Sequence, residues 1–173
     1  MFHPNQEKLI NNLHLISTDV PHVHLSALYA YVKVGAIHEE TGERGYAHLL
    51  EHLLLKRLTT QRYDVLTKFC ASRGMYFNAA TSMEFTNFYI LDILPEHTKE
   101  ALTFLHQILF HPVFTAQELE EEKEIVISEL KEHQSSPHYK MQRAFSSYFF
   151  GEHTLGREVG GLETDVRTAT FEQ

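Results

Sequence analysis

The apolar residues of this chain change rhythm along its length, and the order of those changes constrains the fold more than any single motif. "NLHLIST" and "HVHLSALYAYVKVGA" alternate or are rich in β-formers and flank "DVPH", which predicts an antiparallel pair of strands. Helical spacing takes over from Tyr46 to Leu58 and again from about Gln61 to Ser72, with Gly74 as a C-terminal stop. "MYFNAATSMEFTNFYILDIL" returns to strand chemistry around Ser82, Met83 and Glu84, the pattern of a hairpin. Pro95 then opens an amphipathic helix that ends before Pro112. Thr115 and Glu118 form a capping-box signature for a long acidic helix, and Pro137 restarts another. The tail from Gly151 is glycine-rich and reads as a loop. Two strands, two helices, two strands and three helices predict an α+β fold, with an antiparallel or mixed sheet and helices packed on one face.

At 173 residues this is the size of one core, so residues 1–173 are expected to form a single domain. A formal charge of -8 argues against nucleic acid or an anionic membrane as partner. No stretch is apolar enough to span a bilayer, and the start lacks the basic and apolar run of a signal peptide. With a single cysteine there is no internal disulfide framework, and a cytoplasmic location is expected. Cys70 itself reads as a packed helix residue rather than a nucleophile.

Within the first predicted helix, "GYAHLLEHLLLK" sets His48 and His52 four residues apart, one above the other on one face. Such a pair can hold one Zn²⁺ from a single helical turn, and Glu51 beside it can take a proton from water on the metal. With 13 histidines in the chain the five-residue motif arises by chance about 0.1 times, so a plain hydrogen-bonded helical cluster competes with it. A catalytic zinc needs a third protein ligand. Glu122 and Glu129 lie two turns apart on the acidic helix near the apolar patch Ile125 to Ile127. Glu129 and His133 form a second pair, and spacing alone does not choose between them.

The motif "HLLEH" is the inverted zinc signature of the pitrilysin family of metallopeptidases, the inverzincins, and "EKEIVISE" resembles that family's downstream glutamate pair. "VKVGAIHEETGERGYAHLLEHLLLK", "GMYFNAATSMEFTNFYI" and "LGREVGGLET" resemble its lead-in, its substrate strand and the loop after its zinc helices. The likeness runs from about residue 10 to residue 165. It implies a pitrilysin-like half-domain, similar to one half of a processing peptidase and incomplete at its C-terminus relative to the family. It further implies zinc ligation by His48, His52 and Glu129, with Glu51 as general base and Glu122 orienting a ligand. Asn78, Ala79, Ala80 and Thr81 would receive an extended peptide or small protein substrate by strand addition. A homologous partner chain or a homodimer would close the site, since the family works as paired halves. Exposure of the edge around Asn78, with Tyr76, Phe77 and Phe88 beside it, is expected from the same reading. A non-catalytic interaction subunit is the alternative that an intact motif disfavours, and a structural zinc module is weaker still.

Overall fold

The computed structural model describes residues 3–58, 61–151 and 153–171. Strands β1 (Asn5–Lys8) and β2 (His14–Ser17) form a small antiparallel ladder, pairing Asn5 with Ser17 and Lys8 with His14. This corrects the expected pairing of "NLHLIST" with the run that follows. The hairpin closes on the sequence before it: Asn12 takes a left-handed φ of 64° and the Asn11 side chain accepts the Leu13 N–H. Asparagine tolerates that conformation and caps its own turn, so Asn11-Asn12 outcompetes Pro21 as the turning point.

Strand β3 (Ser26–Val32) instead pairs antiparallel with a later strand, Tyr29 opposite Tyr89. Helix α1 (Tyr46–Lys56) ends two residues before the expected Leu58, which lies in a two-residue ladder of β4 (Arg57–Leu58) and β5 (Gln61–Arg62). Helix α2 (Tyr63–Ser72) stops at Gly74, whose φ of 71° is the left-handed helix stop that glycine allows. Strands β6 (Tyr76–Thr81) and β7 (Thr86–Ile93) form the expected hairpin, and the three-stranded sheet runs β3-β7-β6.

Strand β7 is therefore central, and its side chains alternate between faces as far as Asp92, whose left-handed φ of 58° interrupts the alternation and leaves Ile93 buried. Phe88, Ile90 and Ile93 are buried against Ala101, Phe104, Leu105 and Ile108 of α3 (Thr98–Phe110). The other face is solvated, with Tyr29, Tyr31 and Tyr76 all exposed, so helices cover one side only. Phe88 corrects the expectation of an exposed apolar neighbour: its side chain points to the helix layer and is 1% exposed. Edge exposure belongs to β6 and Tyr76.

Helix α4 (Ala116–Ser135) begins at the predicted capping box, with Thr115 Oγ accepting the Glu118 N–H and Glu118 accepting the Thr115 N–H. Helix α5 (Pro137–Phe150) follows after a one-residue break. The tail contains a further short helix, α6 (Glu163–Thr168), where the glycine content predicted loop. Its Val166 is fully buried with Leu49, Leu53, Leu119, Val126, Ile127 and Leu130 in a second core. Tertiary burial of Val166 and Ala169 fixes what local propensity leaves undecided. This second core locks α1 against α4. No helix among the described residues is long and apolar enough to cross a membrane.

Candidate metal centre

The start of α1 is held by groups remote in sequence. Glu39 accepts the N–H groups of Gly45 and Ala47 at 3.0 and 2.9 Å, satisfying amides that a helix N-terminus leaves free and placing negative charge at its positive end. The tail then lies over that turn. Gly161 has φ of 79°, and a Cβ there would stand 2.2 Å from backbone atoms of Arg44 and Gly45. Leu162 N–H reaches the Arg44 carbonyl, and the Asp165 carboxylate accepts the Arg44 N–H. Only glycine permits so close an approach of two backbones.

With the turn so fixed, α1 presents His48 and His52 towards Glu129 of α4. Nε2 of His52 stands 3.5 Å from Glu129 Oε2, and Nε2 of His48 stands 3.8 Å from it. One ligating atom from each residue lies within 4.8 Å of the other two. Ligand atoms around a tetrahedral Zn²⁺ stand roughly 3.4 Å apart, given bonds of about 2.0–2.1 Å. Two nitrogens and a carboxylate oxygen at this spacing fit such an ion and leave a fourth position free.

The two imidazoles are prepared differently. Burial, together with the neighbouring His52 and His133, holds the His48 pKa down to about 4, so this ring is neutral and able to ligate. Around His52, burial works against protonation but the Glu122 hydrogen bond and the Glu129 charge outweigh it, and its pKa is raised. Glu122 Oε2 stands 3.2 Å from Nδ1 of His52. That contact places the proton on Nδ1 and turns the Nε2 lone pair towards Glu129. The Glu122 carboxyl is nearly inaccessible; burial would raise its pKa, but hydrogen bonds from His52 and Lys56 hold it below the usual range.

Glu51 is 7% exposed. Burial raises its pKa despite the opposing hydrogen bond from the Thr81 hydroxyl, which donates to Oε2 at 2.5 Å. Glu51, His48 and Glu129 line one cavity of about 540 Å³, with Ala80 and Thr81 on its β6 wall.

Strand β6 is a sheet edge, and its register says which groups are available. Ser82 N–H bonds the Phe85 carbonyl to close the hairpin. Alternation then turns Ala80 and Asn78 into the ladder with β7, and Thr81 and Ala79 outward. Ala79 N–H is met by the Asn78 side chain at 2.9 Å, as an outward amide would be. Of the four residues expected to receive a peptide, Ala79 and Thr81 thus turn their backbone outward, with the Ala79 N–H already held by Asn78 and the Thr81 N–H by Glu51, while Asn78 and Ala80 are engaged with Tyr89 and Asn87.

His133, the rival candidate, lines the same cavity but lies outside the group of three whose candidate ligand atoms stand within 4.8 Å of one another. Cys70 is 2% exposed in the α3 core, and burial pushes its thiol up to about 11, so it packs and does not attack. Sequence reasoning missed Lys56, which pairs with Glu122; its place four residues after His52 was the available signal. It also missed the far wall of the cavity, built by Tyr139 and Arg143 of α5 with Arg157 and Glu158 of the tail. Their convergence comes from the crossing of α5 and the loop, and no spacing announces it.

The profile of the family described as Insulinase (Peptidase family M16) matches residues 14–162. A protein named as an uncharacterized zinc protease from Rickettsia bellii is 29% identical over 164 residues, covering 95% of this chain and 40% of that protein. A protease from Helicobacter pylori of known structure superposes with a TM-score of 0.91 at 21% identity, covering 99% of this chain and 41% of that one. Pitrilysin superposes with a TM-score of 0.79 at 23% identity, covering 95% of this chain and 18% of pitrilysin. The chain therefore spans about 40% of the curated relative's length.

Proposed function

This chain belongs to the insulinase family of peptidases, peptidase family M16, and from that premise we propose that it is the metal-binding half of a zinc-dependent endopeptidase acting on extended peptides. The observation that carries this reading is the convergence of His48, His52 and Glu129 with Glu51 on the same cavity. His48, His52 and Glu129 would hold Zn²⁺, which when bound supplies a Lewis acid and lowers the pKa of its water towards about 7. Glu122 keeps the His52 ring in its ligating orientation. Glu51, its proton affinity raised by burial, takes the proton of the attacking water and returns it to the leaving amine. Thr81 keeps that carboxylate aimed into the cavity. Ala79 and Thr81 offer outward backbone groups to a substrate running along β6 as an added strand.

A strand held at one edge needs a second wall, and the length of the relatives supports one supplied by a homologous half, in the same polypeptide or a separate one. The isolated chain is accordingly expected to be a weak catalyst. The test combines zinc content with peptide hydrolysis for the chain with its completing half. Glu51→Gln keeps the zinc and loses about 10²–10⁴-fold in rate. A Glu51→Gln variant that cleaves at near-normal rate removes Glu51 from the chemistry. A protein that takes up no zinc overturns the reading altogether.

A further inference from the structure

We propose that Lys56 is a positioning residue of the metal centre: its ammonium anchors Glu122, and through Glu122 it fixes the ring of His52; this rests on the peptidase reading above. The facing sides of α1 and α4 carry a ladder of alternating groups. His48, His52 and Lys56 follow one another at four-residue intervals, so they climb one face of α1. Glu129 and Glu122 lie two turns apart and meet that face from α4. Their contacts interleave: His48 and His52 approach Glu129, His52 also meets Glu122, and Glu122 meets Lys56. Lys56 is the last rung.

Glu122 divides its two oxygens between the neighbouring rungs. Oε2 stands 3.2 Å from His52 Nδ1, and Oε1 accepts from Lys56 Nζ. The terminal torsion of a glutamate is broad, so one hydrogen bond leaves the carboxylate plane free to turn. A second bond on the opposite oxygen fixes the plane, and with it the direction in which His52 offers its Nδ1 proton. The Glu122 side chain is 6% exposed, so water is poorly placed to replace a lost partner. Lys56 also stands 3.7 Å from Glu121, but that side chain is 50% exposed and the attraction is screened.

An ammonium has three donors and no lone pair, so Lys56 cannot ligate. Its influence on the metal is indirect and has two components of opposite sign. As a fixed cation it repels Zn²⁺ and weakens binding. As the anchor of Glu122 it aligns the Nε2 lone pair of His52 and strengthens binding. The second should win, because Glu122 neutralises the ammonium on contact and leaves little net charge to act on the ion.

The test needs no peptide and uses the full chain. Zinc affinity is read by competition with a chromophoric chelator. The His52 tautomer is read by long-range proton–nitrogen correlation in metal-free protein at about pH 9, where imidazole is neutral. Lys56→Met keeps the apolar stem and its packing but removes the donor and the charge. It should bind zinc about tenfold more weakly, the lower end for a group behind a ligand. It should also turn a single His52 Nδ1–H tautomer into a mixture. Lys56→Arg, which keeps a cationic donor, should recover most of both changes, and Glu121→Gln should cause neither. Zinc affinity in Lys56→Met equal to or tighter than the parent's overturns the assignment and leaves the three ligands standing. So does a parent whose His52 proton sits on Nε2, or a loss in Lys56→Arg as large as in Lys56→Met. A parent that takes up no zinc, yet has a His52 Nδ1 proton that Lys56→Met displaces, overturns the peptidase reading and leaves Lys56 in its role.

Discussion

The cavity has two walls built on opposite plans. On one side α1 and α4 share a dry core: Val126, Ile127 and Leu130 of α4 are at most 4% exposed, with Leu49 and Leu53 of α1 against them. On the other side α5 buries no residue at all. Its Met141, Phe145, Tyr148 and Phe149 are 65%, 62%, 91% and 67% exposed, a stripe at helical spacing with only solvent against it. The groups proposed to hold a metal sit on the first wall, and Tyr139, Arg143 and Ser146 line the cavity from the second. Ligands must be held to a fraction of an ångström, and packed helices do that. A surface that contacts a peptide can be looser and is completed by what binds there.

The contrast is broken most strongly through the packed wall. Leu53→Ala should lower the unfolding free energy by about 2–5 kcal/mol, since the cavity it leaves cannot collapse between two helices. Urea denaturation measures this. A loss below about 1 kcal/mol would mean the α1–α4 wall is no stiffer than α5, and the comparison fails.

Next in size is the metal. Glu129→Gln should weaken zinc binding by roughly 100-fold, given that changes behind a ligand already cost ten- to hundredfold. His133→Ala should leave affinity within about threefold, the spread expected for a residue that does not ligate. Competition with a chromophoric chelator reads both. The reverse result would transfer the third ligand from Glu129 to His133.

These two positions show where the sequence was legible. Helices α3 and α4 were plain because their ends carry local chemistry, Pro95 before one and Thr115 with Glu118 at the other. The β6–β7 hairpin was plain because its connection is short. The pairing of β3 with β7 was not, because no local signal says which distant strand an edge will find. Helix α6 stayed hidden because Val166 is helical through burial against α1 and α4, after glycines that locally argue for a loop. In the site, the i, i+4 spacing of His48 and His52 put both rings on one face, but the same rule put Glu129 and His133 on one face too. Spacing orders residues on a helix and is silent about which helix lies opposite. Arg157 was beyond reach for the same reason: it meets Glu39 only because the tail folds over α1.

Acid tests the packed wall at a smaller scale, in metal-free protein. The folded pKa of His48, about 4, lies below the ordinary imidazole value of 6.5. Above pH 6.5 neither folded nor unfolded His48 is charged, and it contributes nothing. As the pH falls from 6.5 towards 4 the unfolded chain takes a proton that the folded chain refuses, and stability drops. His52 acts with the opposite sign: its raised pKa stabilises the fold below 6.5 and that gain is lost as pH rises. The net acid-side loss should stay below the roughly 3 kcal/mol that the His48 shift alone would give, because His52 offsets part of it. His48→Gln should flatten the stability curve between pH 6.5 and 4, followed by denaturant midpoints at each pH. A slope identical to the parent's would place the acid sensitivity elsewhere.

The smallest expected effect falls on the open wall and is the sharpest test of its openness. Phe145 stacks on Phe149 with ring centroids 5.8 Å apart, yet both rings face solvent. Removing an exposed aromatic forfeits little buried area, so Phe145→Ser should change the unfolding free energy by less than about 0.5 kcal/mol in the monomer. The same substitution should act differently on association. A run of exposed Met, Phe and Tyr side chains is an apolar patch of the kind that another protein surface covers. If the α5 wall is completed by a second half, Phe145→Ser should reduce self-association or binding of that half while leaving the isolated fold intact. Sedimentation of parent and variant across a concentration series, beside their denaturation curves, separates the two effects. A stability loss of about 2 kcal/mol or more with no change in association would mean that α5 is already packed in the free chain, and that the two walls are alike.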